Sequence, residues 1–148
     1  MLFFLSGIIS NQKISMFHFI NYFLTLIILT SLDTVWLTLT AQPLYRTYIG
    51  HLMGPTFVMW PALLFYPMYA ASLLIFVIGP SIQYAYPLTQ TLLLGGLLGL
   101  TAYGAYDLTN QATLKDWPLI ITIIDMLWGM LVSAIVCVSA TAIIRNFL

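Results

Sequence analysis

Four long apolar runs, each closed by proline, glycine or a charged residue, constrain this chain more than any other feature. A helix that crosses the hydrocarbon of a bilayer needs about 20 predominantly apolar residues. Four stretches reach that length: 17–39, 56–78, 88–106 and 118–144. The first stops before Ala41-Gln42-Pro43, the second at Gly79-Pro80 and the third at Asp107. The fourth opens on Pro118, a residue favoured in a helix's first turn, and stops near Arg145-Asn146. Of 148 residues, 61% are hydrophobic and 5% are charged, whereas a soluble domain carries about a quarter charged residues. The expected fold class is all-α: a polytopic membrane protein, an up-down four-transmembrane-helix bundle with short connections and no extramembrane domain. A water-soluble enzyme is excluded, and so is a nucleic-acid binder, which needs a basic surface that a net charge of zero does not supply.

Residues 1–15 stand apart. Leu2 to Ile9 is apolar but too short to span, and Lys13 follows it, the reverse of the order in a secretory signal. Met16 directly precedes the first span and is an alternative start. We read 1–15 as a mobile or interfacial N-terminal extension and 16–148 as a single transmembrane domain. Lys13 and Arg145 fall on the side of the termini, Arg46 and Lys115 on the other. That tie leaves the positive-inside rule without a preferred orientation. The single cysteine, Cys137, allows no internal disulfide and belongs to no zinc-spaced Cys/His set. No metal and no cofactor is expected, and Cys137 reads as a small packing residue.

The polar residues gather at one end. Asp33 lies six residues before the expected end of the first span, roughly 9 Å inside, and Asp125 lies seven residues after Pro118, roughly 10 Å inside. In an up-down bundle both depths are measured from the same face. Asp107 closes the third span there, and Arg46, His51, Asn110, Lys115 and Asp116 fall in the two loops above. An aspartate within hydrocarbon is expensive, about 2.5–3.5 kcal/mol on insertion scales. Two ionised carboxylates at one depth also repel, which calls for a shared proton or for Arg46 or Lys115 as counter-ion. Each acid precedes a tryptophan by three residues, Asp33 with Trp36 and Asp125 with Trp128. Residues at that spacing share a helix face, so each carboxyl is expected to have its own indole beside it. Gly95 with Gly99, and Gly129 with Ser133 and Cys137, make small-residue faces through which the third and fourth helices can approach. Pro61 and Pro67 are expected to bend the second span.

Tyr106-Asp107-Leu108-Thr109-Asn110, followed by Ala112-Thr113-Leu114 and Trp117-Pro118, resembles a known family. It is the bacterial integral membrane family "domain of unknown function 2177", with four predicted spans. Asp33-x-x-Trp36-Leu37, Tyr45-Arg46, Ile49-Gly50-His51, Phe65-Tyr66 and Asp125-x-x-Trp128-Gly129 match in order. The resemblance covers roughly residues 16–145 and implies the fold and a bacterial inner membrane, and no reaction.

Three functions fit these residues. The first is a binding or transport protein for a proton, a small cation or another small molecule. Its candidate binding residues are Asp33, Trp36, Arg46, Tyr106, Asp107, Asn110, Asp125 and Trp128, and a homodimer would enlarge its small interior. The second is a structural or accessory subunit in which the aspartates serve assembly. The third is an enzyme acting on a lipid, or its partner, with paired carboxyls as acid and base. Against catalysis, the chain has no nucleophile elbow, no H-E-x-x-H and no histidine-rich cluster. The bilayer is the one partner that composition demands.

Overall fold

The computed structural model describes the backbone of residues 2–147 and the side chains of residues 19–147. Helix α1 covers Leu2–Trp36, α2 Gln42–Ile49, α3 Trp60–Leu73, α4 Gly79–Gln83, α5 Leu88–Thr113 and α6 Leu119–Phe147. They build four rods long and apolar enough to cross a membrane: Phe19–Leu52, Trp60–Gln83, Leu88–Thr113 and Leu119–Phe147. The all-α, multi-pass architecture follows. The reading of 1–15 as an extension lies outside the residues whose side chains are described.

Two of the expected helix ends are not ends. Between α1 and α2, Leu37–Ala41 widens into a π turn, and α2 continues past Pro43. Between α3 and α4, Leu74–Ile78 does the same ahead of Pro80. The cause is common to both. A proline inside an α-helix leaves the carbonyl four residues back unpaired and drives its ring into it. In the wider turns the Gln42 N–H reaches back five residues to the Leu37 carbonyl, and the Gly79 N–H to that of Leu74. Each π turn ends two residues before its proline, so the helix relaxes where the ring needs room. The third rod also outruns expectation: α5 continues beyond Asp107 to Thr113, so Asp107, Thr109 and Asn110 are helical residues. The second rod starts at Trp60, which puts Pro61 in the first turn and leaves Pro67 as the interior proline.

The core lies among α1, α3 and α6, where Leu29, Leu73, Val77, Val132 and Val136 are buried together. On α1 the buried positions Asn21, Thr25, Leu29 and Asp33 recur every fourth residue, one stripe of one face. The outer surface is apolar, with Phe19, Leu39, Leu63, Phe76, Leu93 and Leu119 exposed. Lipid, not water, suits such a surface. Helices α5 and α6 pack most extensively, and the small residues explain how. A Cβ added at Gly95 would stand 2.9 Å from the Cβ and Sγ of Cys137, and one at Gly99 would collide with the Gly129 carbonyl and Ser133. The two backbones touch.

Polar ties close both ends of the bundle. Arg145 donates to the carbonyls of Ser81 and Tyr86 at 2.5 and 2.8 Å, pinning the α4–α5 turn against the end of α6. At the other end Trp117 Nε1 donates to Thr122 Oγ1 at 3.0 Å and Thr122 donates to Gln111 Oε1 at 3.1 Å. Trp117 is therefore a buried member of the α5–α6 turn.

Candidate functional site

The Asp33 carboxylate, 5% exposed on α1, is the meeting point of three rods. Tyr66 of α3 donates its hydroxyl to Oδ2, and Trp128 of α6 donates its indole N–H to Oδ1 at 2.7 Å. Tyr66 lies six residues into its rod and Trp128 nine into its own. Those offsets put the carboxylate roughly 9–13 Å from the helix ends that begin α3 and α6.

Asp125, 6% exposed on α6, accepts from the hydroxyl of Tyr45 at 2.6 Å. Tyr45 belongs to α2, the helix that the π turn carries beyond Pro43. The two indoles do not pair with the acids of their own helices. Trp128 crosses to Asp33, while Trp36 lies flat against Trp128, ring centroids 4.4 Å apart and planes 8° apart. The expectation of one indole beside each acid on its own helix is corrected: side chains three apart share a face, but that face meets another helix. The Trp36 indole N–H is buried without a partner among the described residues.

Asp107 of α5 is fully buried, and neither carboxyl oxygen has a hydrogen-bond partner among the described residues. It lies within charge range of Asp125, and Asp125 within charge range of Asp33. Its expected place at a helix C-terminus is corrected, since α5 runs six residues further. Two tyrosines join this neighbourhood. Tyr103 lies within charge range of both Asp33 and Asp125. Tyr69 shares a hydrogen bond of 2.6 Å with Ser133, and its ring packs edge-on to Tyr103.

The remaining expected residues lie outside. Arg46 and Lys115 are exposed, and the bonds to Asp33 and Asp125 come from neutral phenol and indole donors. The counter-ion expectation is corrected: continuing the helix to Ile49 puts Arg46 on an exposed face of α2. Tyr106 is 60% exposed and packs edge-on to Trp117, while Asn110 is half-buried one turn along α5. His51 is exposed. Among the described residues no group of three His, Cys, Asp or Glu side chains is placed to hold a metal ion.

Tyr45 and Tyr66 were missed as site residues. Counted from the expected start at residue 56, Tyr66 lies ten residues or roughly 15 Å inside, deeper than the aspartates, and only the observed start at Trp60 brings it to roughly 9 Å. Tyr45 was hidden by the proline that seemed to end its helix.

A bundle of four apolar rods with its polar ties inside defines a multi-pass membrane protein. More particularly, the chain belongs to the family described as "Predicted membrane protein (DUF2177)", whose model matches residues 18–142. No curated protein and no solved structure matches it.

Proposed function

We propose that this protein binds a proton or a small cation within the membrane, at Asp107 and Asp125, with Asp33 holding the surrounding helices in place. One observation carries the reading: the Asp107 carboxyl is buried with neither oxygen bonded to any of the described residues. A bare anion in such a place is strongly disfavoured, and the neighbouring Asp125 adds repulsion instead of relief. A bound proton or cation supplies what the bundle does not. Acids inside membrane helices commonly mark ion or proton paths. Four helices enclose little space, so carriage across the bilayer would engage two copies of the chain. The setting is the plasma membrane of a bacterium.

The test is infrared spectroscopy of the purified protein in lipid discs. The reading expects a carboxyl C=O band that changes between acidic and alkaline buffer, or on adding a small cation, and is absent from Asp107→Asn. A spectrum identical in parent and variant under every condition would remove the site.

A second reading, an assembly role, is favoured by one observation: Asp33 ties α1, α3 and α6 through neutral donors. It applies to Asp33 and leaves Asp107 unexplained.

A further inference from the structure

A cavity of about 450 Å³ opens between the π turn after α1 and the start of α3. Its size falls in the range of small-molecule sites, roughly 300–1,000 Å³. Two of its lining residues are Tyr45 and Tyr66, whose hydroxyls donate to Asp125 and Asp33. The cavity is thus one side chain away from two buried carboxylates. Each phenolic oxygen has given its proton inward and keeps acceptor capacity. Leu37, Met53, Phe57 and Met59 supply apolar wall. The last three come from the non-helical segment between the first two rods, and methionine adapts readily to different shapes.

The buried charge near this cavity is one-sided. Asp33, Asp107 and Asp125 are buried nearby, whereas Arg46 and Lys115 are exposed and Arg145 is held at the opposite end by backbone carbonyls. In a low-dielectric interior such an imbalance reaches across a side chain. An anion or a bare sugar fits neither the charge nor the wall.

We propose that this cavity binds an apolar organic cation, with the apolar part against Leu37, Met53, Phe57 and Met59 and the charge turned toward Tyr45 and Tyr66. This rests on the reading of the carboxyl cluster as a cation or proton site and names the ligand class that reaches it. The π turn contributes Leu37 to the wall and carries the helix on to Tyr45, so one distortion of the first rod builds both parts of the site.

The experiment is equilibrium dialysis of labelled tetraphenylphosphonium against the full chain in zwitterionic lipid discs, with empty discs subtracted. Tetraphenylborate, of the same shape and opposite charge, is the control. Saturable binding of the cation, at least tenfold tighter than any saturable binding of the anion, is expected. Ala62→Phe, which fills the cavity, should weaken it tenfold or more. Phe57→Lys, at a residue 76% exposed and so harmless to folding, should do the same by placing a like charge at the mouth. The carboxyl infrared band should persist in Phe57→Lys. No saturable cation binding, or equal binding of both ions, overturns the cavity assignment while an intact band leaves the carboxyl site standing. Undiminished binding in Phe57→Lys also overturns it.

Discussion

Asp33 and Asp107 sit near the same end of the bundle and are comparably buried, yet one carboxyl has donors from two other rods and the other has none among the described residues. The difference separates two uses of an acid inside a membrane protein. A carboxylate accepting from Tyr66 and Trp128 is part of the scaffold, because its removal strands two buried donors. A carboxyl with no donor among the described residues ties no helices together, and under the function proposed above an occupant completes it. Burial alone does not distinguish the two cases; the partners do.

The comparison breaks most directly by making the same substitution at both places. Asp33→Leu leaves the Tyr66 hydroxyl and the Trp128 N–H without their acceptor, and each orphaned donor costs about 1–3 kcal/mol. We expect the unfolding free energy in mixed micelles to fall by about 2–4 kcal/mol. Asp107→Leu exchanges an unsatisfied group for an apolar one of the same branching but larger size, so relief of the unsatisfied carboxyl offsets the crowding and stability should stay within about 1 kcal/mol of the parent, in either direction. Equal losses at both sites would mean that Asp107 has a structural partner after all.

The seam that seats Asp107 and Asp125 offers the next test. A methyl group at Gly99 meets the Gly129 backbone carbonyl, which cannot yield, and we expect Gly99→Ala to cost about 1–3 kcal/mol. At Gly96 the nearest atom is Met130 Cγ at 3.4 Å, an ordinary contact. Gly96→Ala should be neutral or stabilising by up to about 1 kcal/mol. The same unfolding titration reads both, and a similar cost at the two glycines would argue that the helices stand further apart than the geometry has them.

Four membrane rods were legible because hydrophobic length is a property of the sequence that no packing detail can erase. The ends were not. Pro43 and Pro80 carry the same local signal as true helix stops, and whether a helix breaks or widens into a π turn depends on what its far side gains. Here Tyr45 gains Asp125, a contact 80 residues away in the chain. Of the candidate site, residue type nominated Asp33, Asp107 and Asp125, all three of them buried in the fold. Partnership was not legible, since Trp128 serves the acid of another helix, and the identity of the donor depends on helix rotation. Composition alone also could not reveal that Asp107 lies within its helix, because the signature around it is as polar as a loop.

The opposite end of the bundle sharpens the contrast, because its cation is engaged. Arg145→Gln removes charged donors from the Ser81 and Tyr86 carbonyls, and bonds of that kind contribute about 1.5–3 kcal/mol each when well formed. Partial exposure lowers this, so we expect a loss of about 1–2 kcal/mol and faster hydrogen exchange confined to the turn at residues 84–87. Exchange unchanged in that turn would show that Arg145 is not what holds it.

The smallest expected effect concerns Arg46, the residue that charge counting nominates as the carboxylates' partner. It projects from an exposed face of α2, and the donors to Asp33 and Asp125 are neutral. Arg46→Gln should therefore change stability by less than about 0.5 kcal/mol, as at ordinary surface positions. Its neighbour Tyr45 provides the internal standard: Tyr45→Phe removes a donor to Asp125 and should cost about 1–2 kcal/mol. If the arginine were a hidden counter-ion, its loss would exceed that of the tyrosine, because an unpaired buried charge costs more than an unpaired hydroxyl. The ordering of two adjacent substitutions thus decides whether Asp125 is held by a dipole or by a charge.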